Sequence, residues 1–477
     1  MKRKRTRNRM NAFLALSALL LVIILVLTVS ISQKENNRDN NKSESSKPED
    51  KVTAIISAPT EAAQDGILDS AENEATVTEG SEAETAEAAN TEITQNTEKI
   101  ETENTDFTEE DNQAGEGEVV IGDGKEPPGN SQEVKTKVEE IMSDMTLQEK
   151  VCQLFIVYPE AITNVATVTS AGETTKKAIT KYPVGGILYE SKNLVSGDQT
   201  RKMISNIQSY SKIPLFIASD EEGGTVARVM KSLGTTKINS MYTYKEEGVE
   251  QAYKNAYQIA SDIADFGFNL DFAPVCDVWS NPDNKVIGQR AYSDDFIQAA
   301  ELIPHAVKGF QEGGVLCTLK HFPGHGDTDQ DSHYGSAFVS KGLKELREEE
   351  FLPFKAGIAA GADMVMTGHL ILKEVDDLPA TLSYKITTEI LREELGFDGV
   401  IVTDSLLMEA LTKYYSSSEV VVKAFAAGAD LLLCPKNLDS AIAAILDAVS
   451  NGEISEDYLN ASVRRILALK VETGIIK

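Results

Sequence analysis

Between about residue 134 and residue 477, short runs of nearly continuous apolar residues alternate with stretches whose apolar positions recur every three or four residues. Eight such runs stand out: "CQLFIVY", "VGGILYE", "IPLFIASD", "LDFAPVCD", "VLCTLKH", "DMVMTGH", "GVIVTD" and "DLLLCP". Runs of this length without polar alternation predict strands buried on both faces of a parallel sheet. Intervening segments such as "TTEILREELGF" and "SEVVVKAFAAGA" predict amphipathic helices. Eight βα units predict an α/β fold, a TIM-type (β/α)8 barrel over 134–477, with an open doubly wound sheet as the alternative.

The first third of the chain has a different pattern. "MKRKRTRNRM" is a basic cluster, followed from Ala12 to Ile31 by a run of apolar residues long enough, at about 1.5 Å per helical residue, to cross a hydrocarbon core of about 30 Å. Residues 1–32 are therefore expected to be a cytoplasmic stub and a single-pass transmembrane signal anchor. A cleaved signal peptide is the alternative, but the exit "TVSISQKEN" offers only a weak cleavage site. The basic side stays in the cytoplasm, which predicts a protein of the cell membrane whose folded body lies outside.

Residues 33–133 are rich in Glu, Thr, Ser, Asn and Ala and nearly free of aromatic side chains. Such a segment cannot bury enough apolar area to offset its chain entropy, so it predicts a disordered acidic linker. With about 27 acidic and about 7 basic residues, it carries most of the formal net charge of −29. That acidity argues against a nucleic-acid partner. The four cysteines, Cys152, Cys276, Cys317 and Cys434, are far apart and each lies in a strand-like run, which predicts buried free thiols.

Polar residues fall where the apolar runs stop: Asp220 ends the third, Asp277 the fourth, Lys320 and His321 the fifth, His369 the sixth and Asp404 the seventh. In a barrel these ends share one face, where sites are built. After the fifth run comes "KHFPGHGDTDQDSHYG", residues 320–335, which holds three of the chain's five histidines. A metal reading of His321, His325, Asp327, Asp331 and His333 is poor, because Pro323, Gly324 and Gly326 forbid the helix that would put His321 and His325 on one face. No metal and no cofactor are expected. An acid–base reading is better: Asp331, two residues before His333, can fix the imidazole tautomer and raise its basicity. Asp404, at the end of an otherwise apolar strand, is the candidate for a fixed carboxylate. A proton donor above a fixed carboxylate suits glycosidic-bond cleavage.

"KHFPGHGDTDQDSHYG", "SDEEGG", "NPDNKVIGQRAYSDD", "DLPATLS" and "GVIVTDSLLMEAL" resemble glycoside hydrolase family 3, in its β-N-acetylglucosaminidase branch. The resemblance implies a retaining, exo-acting β-N-acetylhexosaminidase that hydrolyses terminal β-linked N-acetylglucosamine through a glycosyl-enzyme intermediate, often in cell-wall-derived glycans. It also implies roles: Asp404 as nucleophile, His333 as acid/base with Asp331 as its partner, and Asp220, Arg228, Arg290, Lys320 and His321 as substrate-binding residues. The partners expected are thus a carbohydrate and, through the anchor, a membrane. Alternatives are a phosphorylase or another β-glycosidase of the same fold, or a catalytically silent wall-glycan-binding protein.

The chain departs from the family's usual Asp-Gln-Glu-Gly-Gly-Arg-Val at Glu221 and Thr225, which bears on substrate preference. Its close, "SVRRILALKVETGIIK", resembles the end of the barrel domain, so the second α/β domain of many members is not expected. Among the remaining polar residues, His305 reads as structural, and His325 and Asp327 as shaping their loop. Asp277 and His369 either line the pocket or brace neighbours. Gly223 and Gly224 read as permitting a tight turn.

Overall fold

The computed structural model describes residues 131–328, 335 and 337–477. The expected transmembrane segment and almost all of the expected linker lie outside the described residues, as do Asp331 and His333. Among the described residues no helix is long and apolar enough to cross a membrane. The first helix, Gln132–Ser143, begins just inside the segment expected as linker, and the Ser131 side chain caps it by accepting from Val134 N.

All eight expected strands are present: β1 (Phe155–Val157), β2 (Gly186–Leu188), β3 (Phe216–Ser219), β4 (Leu270–Asp271), β5 (Thr318–Phe322), β6 (Met364–Thr367), β7 (Val400–Thr403) and β8 (Leu432–Leu433). Every residue in them is buried, as strands covered on both faces must be. All their pairings are parallel, with Ile156 opposite Leu433 and Gly186, Ala218 opposite Leu270, and Met364 opposite both Thr318 and Val400.

The strands form two sheets, ordered β8-β1-β2-β3-β4 and β7-β6-β5. The order follows the chain without the reversal that a doubly wound sheet requires. Where a single closed ladder was expected, the two seams carry only isolated parallel bridges, Leu270 with Leu316 and Val275 with Lys320 at one and Val402 with Leu431 at the other. Backbone bonds cross both, from Asp271 N to Leu316 O at 2.9 Å and from Thr403 N to Leu431 O at 3.0 Å. The seam strands are short for a local reason: Pro274 soon after β4 and Pro435 soon after β8 cannot donate to a ladder, and Cys434 takes a left-handed φ of 48°.

Helices fill the connections. Ser196 with Gln199 and Ser416 with Glu419 form capping boxes at the starts of Gly197–Tyr210 and Ser417–Ala427. "TTEILREEL" is helical as expected but wound as a π-helix over Lys385–Glu394. Two short pairs had no counterpart in the sequence reading: Glu221–Gly223 runs antiparallel to Val226–Ala227, and Ala337–Val339 runs parallel to Leu370–Leu372. The turn in the first pair places Gly223 at φ 85° and Gly224 at φ 58°, the left-handed region expected of them. All four cysteines are free and buried.

Candidate active site

Apart from Asp277, which falls six residues past the end of β4, the strand-end residues sit at or just after the C-terminal part of a parallel strand, so the sheet directions bring them to one side. Asp220 follows β3, Lys320 and His321 lie within β5, His369 follows β6 and Asp404 follows β7. Side-chain bonds then join several of them directly. Lys320 Nζ lies 2.8 Å from Asp220 Oδ1 and 2.6 Å from Glu222 Oε1. Arg290 grips the same glutamate bidentately, Nε to Oε2 at 2.8 Å and Nη2 to Oε1 at 2.8 Å.

This network is buried and its charges are mutually dependent. The Lys320 and Glu222 side chains are 2% and 3% exposed, whereas Asp220 keeps 21% of its surface open. Burial would push the Glu222 carboxyl up, but Arg290 and Lys320 hold it well below the usual carboxylate range. Burial likewise opposes the charge on Lys320, and Asp220 and Glu222 overcome it, so its ammonium is held above the ordinary lysine value. The result is a desolvated row of fixed charges with Asp220 at its open end.

Asp277 resolves to a brace. Its side chain is fully buried and accepts from His321 Nδ1 at 2.7 Å, from His321 N and from His325 N at 2.7 Å. The contact to Nδ1 assigns the His321 ring proton to that nitrogen. Burial would raise the Asp277 carboxyl, but His321 chiefly holds it below its ordinary value. His325 is itself buried, and desolvation lowers it to about 4, so it is neutral at physiological pH; its Nδ1 meets Thr328 Oγ1 at 2.8 Å. His325 therefore shapes its loop, as expected. His369 also braces: Nε2 meets the Ser405 carbonyl at 2.9 Å and Nδ1 meets Thr381 Oγ1 at 2.8 Å, which fixes the residue after Asp404. Asp404 is half-buried; Oδ1 accepts from Ser405 N at 2.6 Å and its own N–H donates to Thr367 O at 2.9 Å.

Arg228 lies apart from the Lys320 network. Its Nε forms an ion pair with Glu190 Oε2 at 3.0 Å, without the alignment of a hydrogen bond. It opens the helix Arg228–Leu233, whose first N–H groups are met by Glu221: Val229 N to Oε2 at 2.6 Å and Met230 N to Oε1 at 3.2 Å. Burial pushes the Glu221 carboxyl up to about 7. Beneath it, Asp271 accepts from Glu221 N at 2.9 Å, and burial raises its carboxyl well above the usual range.

Glu222 is the site residue that sequence reasoning missed, and Glu190 a second. The available signal for Glu222 was its place in "SDEEGG": consecutive carboxylates after an apolar strand cannot all be solvated, so at least one must meet a buried cation. Among the described residues, no group of three or more His, Cys, Asp or Glu is arranged to hold a metal ion.

Fold and site together define an α/β protein whose polar site stands on the C-terminal ends of its parallel strands. Within that class the chain belongs to glycosyl hydrolase family 3, since the model of that family's N-terminal domain matches residues 146–469. It is 34% identical over 337 residues to "Beta-hexosaminidase A" of Pseudoalteromonas piscicida, covering 64% of this chain and 56% of that one. A "Beta-hexosaminidase" of Stenotrophomonas maltophilia is 34% identical over 301 residues, covering 59% and 88%. A solved glycoside hydrolase family 3 β-N-acetylglucosaminidase from Paenibacillus sp. superposes with a TM-score of 0.66 at 39% identity, covering 70% of this chain and 64% of that one. The chain thus spans little more than half the length of the first relative and under two thirds of the solved one.

Proposed function

We propose that the protein is a retaining, exo-acting β-N-acetylhexosaminidase that hydrolyses terminal β-linked N-acetylglucosamine. One observation carries the reading: Lys320, clamped between Asp220 and Glu222, forms a desolvated row of charges on the side of the parallel strands that also bears Asp404. Asp220 and Lys320 hold sugar hydroxyls, with Arg290 and His321 as further binding residues, and Arg228, which pairs with Glu190 apart from that network, binds another part of the substrate. Asp404 attacks the anomeric carbon as the glycosidic C–O bond breaks, and protonated His333, partnered by Asp331, gives its proton to the leaving oxygen. His333 then takes a proton from water, whose oxygen displaces the Asp404 ester and regenerates the carboxylate. The family, and relatives whose names specify β-hexosaminidase and β-N-acetylglucosaminidase, support the choice of sugar.

Two further parts of the reading concern architecture and place. The two sheets are arcs of one (β/α)8 barrel, a closure supported by the chain-order pairing and by the hydrogen bonds across both seams. Residues 1–32 anchor the protein in the cell membrane, with the body outside on an acidic tether acting on cell-wall-derived glycans, as the basic cluster and the apolar run from Ala12 to Ile31 support.

The experiment is a panel of aryl β-glycosides, comparing N-acetylglucosaminide with glucoside, with NMR of the first-formed anomer and analysis for sugar 1-phosphate when phosphate is added. Preference for the N-acetylglucosaminide, a β-anomer and no sugar phosphate are expected. An α-anomer would overturn retention, and sugar phosphate would replace hydrolysis by phosphorolysis. Protease accessibility of the body on intact cells tests the topology.

A further inference from the structure

The loop from Ser280 to Arg290, after β4, contains a buried asparagine that none of the roles above uses. Asn284 is 1% exposed, and its carboxamide is saturated on both sides. Nδ2 donates to the His325 carbonyl at 2.7 Å and to the Gly326 carbonyl at 3.1 Å, with Thr328 Oγ1 at 3.4 Å. Oδ1 accepts from Val286 N at 2.9 Å and Ile287 N at 2.8 Å. Those two residues build the turn that delivers Arg290: Arg290 N donates to Ile287 O at 2.9 Å and Nη1 to Val286 O at 3.0 Å. One side chain therefore ties the segment after β5 to the turn whose arginine grips Glu222.

Neighbouring contacts tighten the same junction. Asn281 Nδ2 lies 3.4 Å from both the Asp327 and Thr328 carbonyls, and Asp277 accepts from His325 N. At Gly326 a Cβ would fall 1.6 Å from the Val278 carbonyl oxygen, so only glycine permits the backbones to approach this closely. A primary amide is the side chain that can donate to one loop and accept from the other at once; Asp would lose the donors and Leu both functions.

We propose that Asn284 is a positioning residue for the reaction. It holds the His325–Thr328 stem, which leads in sequence to Asp331 and His333, in register with the Arg290–Glu222–Lys320 row that grips the sugar. The inference rests on the acid/base reading of His333. Asn284 acts through the backbones it joins, the His325–Thr328 stem on one side and the Val286–Ile287 turn that delivers Arg290 on the other.

The test measures kcat/KM of wild type, His333→Ala, Asn284→Asp and Asn281→Ala on two N-acetylglucosaminides, one with an activated aryl leaving group and one with a sugar leaving group, alongside thermal unfolding. Asn284→Asp keeps the acceptor and removes the donors. We expect it to slow the sugar leaving group by about 100-fold and the aryl glycoside by about threefold, because a displaced acid matters only where a proton is needed. Asn281→Ala, which removes two long bonds, should show the same direction more weakly and serves if Asn284→Asp fails to fold. If His333→Ala discriminates between leaving groups while the asparagine variants lose activity equally on both, or not at all, the positioning role is overturned and the acid/base reading stands. If His333→Ala itself fails to discriminate, that reading falls and the inference with it.

Discussion

Lys320 Nζ lies 2.6 Å from Glu222 Oε1 with both side chains almost wholly out of solvent. Removing one member of a buried pair leaves the other charge uncompensated, at a cost of about 3 to 5 kcal/mol. Glu222→Gln should therefore destabilise the body by about 3 kcal/mol, somewhat softened because Asp220 remains beside Lys320. It should also weaken inhibition by N-acetylglucosamine, since Arg290 loses its bidentate partner. Urea unfolding and an inhibition constant measure both; a variant unchanged in each would show that the row is not an energetic unit.

Asp404→Asn should leave the fold intact and remove turnover, because an amide keeps the shape but cannot form the glycosyl ester. A loss of about three decades or more corresponds to a barrier increase of about 4 kcal/mol. Circular dichroism with steady-state rates decides it, and near-normal activity in a folded variant would remove Asp404 from the nucleophile role.

Glu221 supplies a pH signature. Its folded value of about 7 lies above that of an unfolded glutamate, so the folded state binds the extra proton between about pH 4.5 and 7. Stability from this group is present below that window and is lost as pH rises through it, by up to about 3 kcal/mol. Glu221→Gln, which restores the residue usual in the family, should match wild type near pH 4.5 and exceed it above pH 7. Urea midpoints across that range check the slope; parallel curves would mean that Glu221 does not titrate on folding.

Lys470 predicts the opposite window. Its ammonium is fully buried, donating to Gln153 Oε1 at 3.0 Å and the Gly185 carbonyl at 2.8 Å, and desolvation lowers it to about 7. The unfolded chain holds the proton more tightly, so stability is lost as pH falls from about 10 to about 7 and is level below that. Lys470→Met should flatten this dependence. At pH 6 it should be the more stable protein by about 1 to 3 kcal/mol, the gain being limited by the two acceptors it strands. Unfolding at pH 6 and pH 10 separates the outcomes, and a variant less stable at both would show that the two hydrogen bonds outweigh the buried charge.

The eight strands were legible because each needs burial on both faces, and that requirement writes an unbroken apolar run into the chain. The positions of Asp220, Lys320, His321, His369 and Asp404 followed, since a polar residue ending such a run stands at or near a strand end, whereas Asp277 falls six residues past the short β4. What those residues do to one another was not legible. Asp277 and His369 could as well have lined the pocket, and only the bonds from His321, His325, Ser405 and Thr381 make them braces.

By itself, then, the sequence determined the order and kind of elements and the residue types available for chemistry, because periodicity and chain adjacency are local properties. Tertiary structure alone decided that Glu222 is the partner shared by Lys320 and Arg290, that Glu190 pairs with Arg228, and that Asn284 joins two loops. Those pairings are between residues far apart in the chain. They form because strand packing removes charges and amides from water at the same place, and a desolvated group takes whichever complementary group the fold has set within reach.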